Sequence, residues 1–137
     1  MQTKKINPKQ HYIIRIDRGE EVMEQLTNFC QKNNIYSGSF HGIGACSEAE
    51  FGYYSVELKG YNTKVITEEH EVTSIIGTIS DKKIHAHATI SDKECSEEGG
   101  HVDRMIISAT CEIHLIAGDE SLSRKMDDET GLELLDI

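Results

Sequence analysis

Between Arg104 and Ile116 the chain alternates without a break. Met105, Ile107, Ala109, Cys111, Ile113 and Leu115 fall on one side of an extended backbone, and Ile106, Ser108, Thr110, Glu112, His114 and Ile116 on the other, because successive strand side chains point to opposite faces. A long central strand opening at Arg104 is predicted, and every other element must pack on it or beside it. Its first face is apolar throughout and predicts a core. Its second is polar in the middle and is expected to meet solvent; where it borders a polar site, Glu112 or His114 would partner an imidazole.

The same period of two recurs along the chain. In His11-Tyr12-Ile13-Ile14-Arg15-Ile16, the residues Tyr12, Ile14 and Ile16 take the core side. Val72 to Ile79 is a β-branched run suited to a sheet interior, and Glu71 before it reads as a rim charge ahead of a buried carboxylate. Short β segments between Ile35 and Leu58 are punctuated by Gly38, Gly42, Gly44 and Gly52. Gly42-Ile43-Gly44 is not a phosphate loop, since no helical pattern follows and the third glycine of the dinucleotide fingerprint is missing. Close backbone packing or a bulge explains it better.

Helical spacing is confined to residues 20–33, where Val22, Leu26, Phe29 and Cys30 form one stripe. Asp17-Arg18-Gly19-Glu20-Glu21 supplies a capping carboxylate and an acidic first turn, and Asn33-Asn34 a stop. Leu132, Leu134, Leu135 and Ile137 are expected to dock on the sheet or on a neighbouring subunit. The fold class is therefore α+β: a mostly antiparallel β-sheet with one main packed helix, in a single compact domain. That domain takes residues 11–137, after a flexible N-terminal arm at residues 1–10.

Charge narrows the partners. The chain carries 24 acidic against 14 basic residues, a formal net charge of −10, whereas nucleic-acid backbones are held by basic side chains that displace counterions. Lys4, Lys5 and Lys9, and the pair Lys82-Lys83, read as ordinary solvated lysines, so direct duplex binding is disfavoured. No apolar run is long enough to span a bilayer, and the N-terminus lacks the apolar stretch of a secretory signal, so a cytoplasmic protein without membrane attachment is expected. Cys30, Cys46, Cys95 and Cys111 make no C-x-x-C pair. Cys30 and Cys111 read as small buried hydrophobes, and neither Cys46 nor Cys95 has a cationic neighbour to favour a thiolate.

The chemistry concentrates in Lys83-Ile84-His85-Ala86-His87-Ala88-Thr89-Ile90 and in Gly99-Gly100-His101. On a strand, His85, His87 and Thr89 share the face opposite Ile84, Ala86, Ala88 and Ile90. Two residues cover roughly 6.6 Å, a gap that two imidazoles close by leaning onto one ion. An acidic turn from Ser91 to Glu98, followed by the Gly-Gly pair, folds the chain back as a hairpin and brings His101 alongside. Three imidazoles with an open fourth position describe a zinc-type site at His85, His87 and His101. A hydrogen-bonded polar patch is the plainer alternative.

These segments carry a resemblance. Arg15-Ile16-Asp17-Arg18-Gly19-Glu20-Glu21, Gly42-Ile43-Gly44-Ala45, Gly52-Tyr53-Tyr54, Glu71-Val72-Thr73-Ser74-Ile75-Ile76-Gly77, His85-Ala86-His87-Ala88, Gly99-Gly100-His101, Ser108-Ala109-Thr110-Cys111-Glu112 and Thr130-Gly131-Leu132-Glu133-Leu134-Leu135, in this order, resemble the plants-and-prokaryotes conserved (PPC) domain. The resemblance implies an antiparallel sheet with a packed helix, association as a homotrimer, and, through H-x-H and Gly-Gly-His, the same three histidines. In plants the domain follows an AT-hook, the origin of the DNA-binding label carried by free-standing bacterial versions. No AT-hook is present here: the one proline is Pro8, and Arg18-Gly19 is followed by Glu20. Where the plant domain carries Arg-Phe-Glu-Ile for partner binding, this chain has Glu69-His70-Glu71-Val72, which keeps the glutamate without the arginine.

Three functions follow as expectations. The first is a homotrimeric module that binds a divalent metal, zinc foremost, or a small ligand, with a regulatory role. The second is association with DNA, indirectly through protein partners; direct contact would weaken steeply with salt. The third is a metal-dependent enzyme at the three-histidine site, with Glu112 handling protons.

Overall fold

The structure, a computed structural model, describes residues 1–137. In chain order the elements are β1 (Pro8–Asp17), α1 (Val22–Lys32), β2 (Ser37–Ser55), β3 (Gly60–Ile66), β4 (His70–Ser80), β5 (Lys83–Ser91), β6 (Glu97–Gly118), β7 (Ser123–Asp127) and β8 (Leu132–Asp136). Every strand pairing is antiparallel. The fold class is thus α+β with one short helix.

Strand β6 is the axis. Along one edge it pairs with β2, and along the other with β1 at its C-terminal half and β5 at its N-terminal end. Because β2 also pairs with β4 and β4 with β5, the strands β6, β2, β4 and β5 form a closed circuit, which removes free edges among them. The predicted apolar face points into it: Met105, Ile107, Cys111, Ile113 and Leu115 are buried with Ile75, Ile79, Ala86 and Ile90. Ala109 departs from the pattern and is exposed.

Helix α1 closes one side of this core with the stripe Val22, Leu26 and Cys30, all fully buried, and Phe29 meets Tyr12 edge-on at 5.1 Å. Its cap is Glu21, within the stretch that the sequence marks for that role. The Glu21 carboxylate accepts from the N–H groups of Met23 (3.0 Å) and Glu24 (2.6 Å), and also from Met105 N–H at 2.9 Å. One carboxylate therefore satisfies two free donors of the helix start and pins the helix to β6.

Several expectations shift in detail. Strand β6 opens at Glu97, not Arg104, so Gly99-Gly100 lies within a strand rather than in the turn. The turn itself is built by Asp92, whose Oδ1 accepts from the N–H groups of Glu94 and Ser96, both at 2.9 Å. The glycines permit close approach instead: a Cβ on Gly99 would collide with the Ala88 carbonyl, and one on Gly100 would lie 3.0 Å from the Gly52 carbonyl. Residues 37–55 run as one strand and not as short segments. Gly42 and Gly44 flank a register shift against β4, and a Cβ on Gly42 would sit 2.5 Å from the Glu112 carbonyl, so bulge and close packing both hold.

Strand β1 starts at Pro8, inside the segment assigned to the arm. Before it, Asn7 donates to the Asp119 carboxylate through its backbone and side-chain nitrogens, each at 2.9 Å. The C-terminal residues form the β7–β8 hairpin, tied to the body by polar contacts while Leu134, Leu135 and Ile137 stay exposed. Glu71 is an exposed rim charge. Cys30, Cys46 and Cys111 are buried, and burial pushes each thiol up to about 11, which silences them as nucleophiles.

Candidate metal centre

Directly paired residues face the same way, and one lateral row crosses the outer surface of the sheet. It reads Ile13 to His114, His114 to His41, His41 to Ile76, Ile76 to His87, and His87 to His101. His85 stands two residues from His87 on the same face. The sequence-predicted trio is thereby brought together: ring centroids are 5.2 Å apart for His85 and His87, 5.1 Å for His85 and His101, and 5.6 Å for His87 and His101. One ring nitrogen from each lies within 4.8 Å of the others. Small ring rotations bring such a set to the ~3.3 Å spacing of nitrogens around a tetrahedral zinc.

The electrostatics suit neutral imidazoles. Burial lowers the pKa of His85, and the charges of His101, His87 and Arg124 lower it further. Burial also lowers that of His101; Asp103 works against this and His87 with it. The Asp103 carboxylate stands 3.6 Å from His101 Nε2, which favours the proton on that nitrogen. His101 Nδ1 is buried without a hydrogen-bond partner. A buried lone pair with no donor opposite it is costly in a purely structural histidine and is what a metal ligand requires. By this observation the residues present fit a divalent ion.

Beyond the trio, Tyr61 tilts over His101 with centroids 5.4 Å apart. Gly52 makes room for it, since a Cβ there would lie 2.7 Å from the Tyr61 ring and 3.0 Å from the Asp103 carboxylate. Beside His87 a cleft of about 340 Å³ is lined by Ser74, Ile76, Thr89, Glu97 and Glu98. The sequence reading missed Asp103; its place two residues beyond His101, on the same face of an extended strand, is the signal that could have found it. Tyr61 and Arg124 arrive from elements whose sequence bears no mark of the site.

Glu112 and His114 do not border the trio. Glu112 pairs with Ile43 and Arg15, well along β6 from His101. The ring of His114 is taken by a separate cluster, 3.1 Å from His11 Nε2 and stacked on His41 at 5.3 Å. The proton-handling role considered for Glu112 therefore has no geometric basis.

Comparison with known proteins gives a consistent picture. A family model described as the Plants and Prokaryotes Conserved (PCC) domain matches residues 3–118. Among solved structures, the plant- and prokaryote-conserved (PPC) protein of Pyrococcus horikoshii is 29% identical with a TM-score of 0.92, over 100% of this chain and 98% of that one. A metal-containing protein of Archaeoglobus fulgidus is 27% identical with a TM-score of 0.91, over 98% of each chain. A protein of Bacteroides thetaiotaomicron, provisionally described as DNA-binding, is 28% identical with a TM-score of 0.86, over 96% of each. No curated protein matches the chain.

Proposed function

The chain belongs to the Plants and Prokaryotes Conserved domain family, and from that premise we propose that it is a homotrimeric binding module holding one divalent ion, zinc foremost, through His85, His87 and His101. The observation that carries this reading is the convergence of three imidazoles, one of which keeps a buried nitrogen without a partner. The metal-containing relative of Archaeoglobus fulgidus supports it. When bound, the ion supplies a Lewis-acidic position open to an exogenous ligand. The chain's own residues do the rest: Asp103 orients His101, Tyr61 covers it, and the cleft beside His87 gives access.

The trimer is supported by what the outer face leaves uncovered. Ile13, Ile43, Ile76 and Ile116 are between 40% and 67% exposed on strands that share that face, more apolar surface than an isolated subunit usually presents. A regulatory role connected to DNA runs through a protein partner, because a net charge of −10 gives a polyanion little to hold.

The deciding experiment is elemental analysis of protein purified without a histidine tag. Wild type is expected to carry about one zinc per subunit, and His87→Ala far less, since losing one of three imidazoles removes a large share of the coordination free energy. Equal metal in both proteins would exclude the site.

A further inference from the structure

The β7–β8 hairpin lies beyond the residues the family model matches, and one of the side chains that fix it to the body, Arg124, also stands beside the histidines. Arg124 Nε donates to Ser80 Oγ at 2.6 Å, and one terminal nitrogen donates to the Glu133 carbonyl at 2.8 Å. Ser80 is fully buried and pairs with Lys83 at the turn that leads into the histidine strand. His85 follows two residues later on the face of Lys83. The neighbouring cation, Lys83, is neutralised by Glu133 at 2.6 Å. Arg124 has no carboxylate within ion-pair distance: both its acceptors are neutral, and the rest of its N–H fork is free.

A half-buried guanidinium held by two neutral acceptors, beside three imidazoles, is a prepared place for an anion. The site is also polarised, with Arg124 bearing on His85 and Asp103 on His101. We propose that the centre takes a small carboxylate-bearing ligand, received by the Arg124 guanidinium at its carboxylate and reaching the ion held by His85, His87 and His101. This rests on the metal reading above and names the chemical class that site would accept. Carboxylate is favoured over phosphate because the charge offered is one guanidinium, Lys83 being neutralised by Glu133, while Glu97 and Glu98 in the cleft beside His87 disfavour a dianion. The Ser74 and Thr89 hydroxyls there suit a hydroxylated body.

The test uses cobalt(II)-loaded, tag-free protein, with glycolate as the probe, its neutral twin glycolamide as control, and inorganic phosphate as competitor. Cobalt content is measured first, and wild type that fails to hold cobalt or zinc overturns the metal reading and this proposal together. With metal bound, glycolate is expected to shift the visible spectrum saturably and to bind about ten-fold more tightly than glycolamide. Arg124→Gln should weaken glycolate about ten-fold while leaving cobalt content and glycolamide affinity unchanged. Arg124→Lys, which keeps the charge without the fork, should lose about three-fold, and it carries the test if the glutamine variant does not fold. Glycolate affinity unmoved by either substitution, or phosphate binding more tightly than glycolate, overturns the proposal while the metal reading stands.

Discussion

At the scale of single residues, His85 and His101 couple the site to the stability of the fold. Both are held below the ordinary histidine range, chiefly by burial, so the unfolded chain binds more protons than the folded one between their native values and about 6.5. In the metal-free protein their contribution is therefore complete above that pH and declines as pH falls through the native values. Denaturant midpoints measured from about pH 8 to about pH 5 should fall on acidification, and the slope should flatten in the His85→Gln, His101→Gln double variant. The carboxylates act in a separate window. Asp119, Asp127 and Glu133 are held low by hydrogen bonds from Asn7, Thr130 and Lys83, so their contribution is lost only below about pH 4.

Among the elements, Glu21 joins helix to sheet. Glu21→Ala removes two cap bonds and leaves Met105 N–H unpaired beneath the helix. Chemical denaturation should show a loss of about 1–2 kcal/mol, with Glu21→Gln recovering most of it. Sequence alone narrowed the cap to residues 17–21, because a cap is recognised by residue type near the helix start, whereas the carboxylate in place is chosen by a partner on β6 far away in the chain. The same division holds elsewhere. Period-two patterning made the strands legible, along with the shared face of His85 and His87, since alternation is local. It also drew the apolar face of β6, all but Ala109. It did not reveal that Gly99-Gly100 runs flat between β5 and β2, because a glycine pair in a turn and one in a tight lateral contact read alike. The distance of Glu112 and His114 from the site follows from the same cause: the place of the trio along β6 depends on how far the strand extends before Arg104. Leu134 and Leu135 do not dock on their own sheet, and their hairpin is fixed to it through Arg124 and Lys83.

For the whole molecule, the uncovered isoleucines make oligomeric state a direct measurement. Sedimentation equilibrium should give three times the monomer mass for wild type. Ile13→Asp, at a position 67% exposed, should yield a folded monomer with an unchanged far-UV spectrum, since a surface charge costs an isolated subunit within about 0.5 kcal/mol. Wild type sedimenting as a monomer would remove the trimer from the reading.

The circuit of strands has one short join. Strands β5 and β6 meet over only the registers from His87 with His101 to Ser91 with Glu97, while β2 and β6 run together along most of their length. Two of the three histidines stand opposite each other at the end of that join, with His85 next to them. An ion gripped there would act as a clasp on the barrel's weakest seam, and its removal would quicken amide exchange at residues 87–91 and 97–101 well before the β2–β6 ladder loosens. Metal supply and mechanical integrity would then be read at a single place on the molecule.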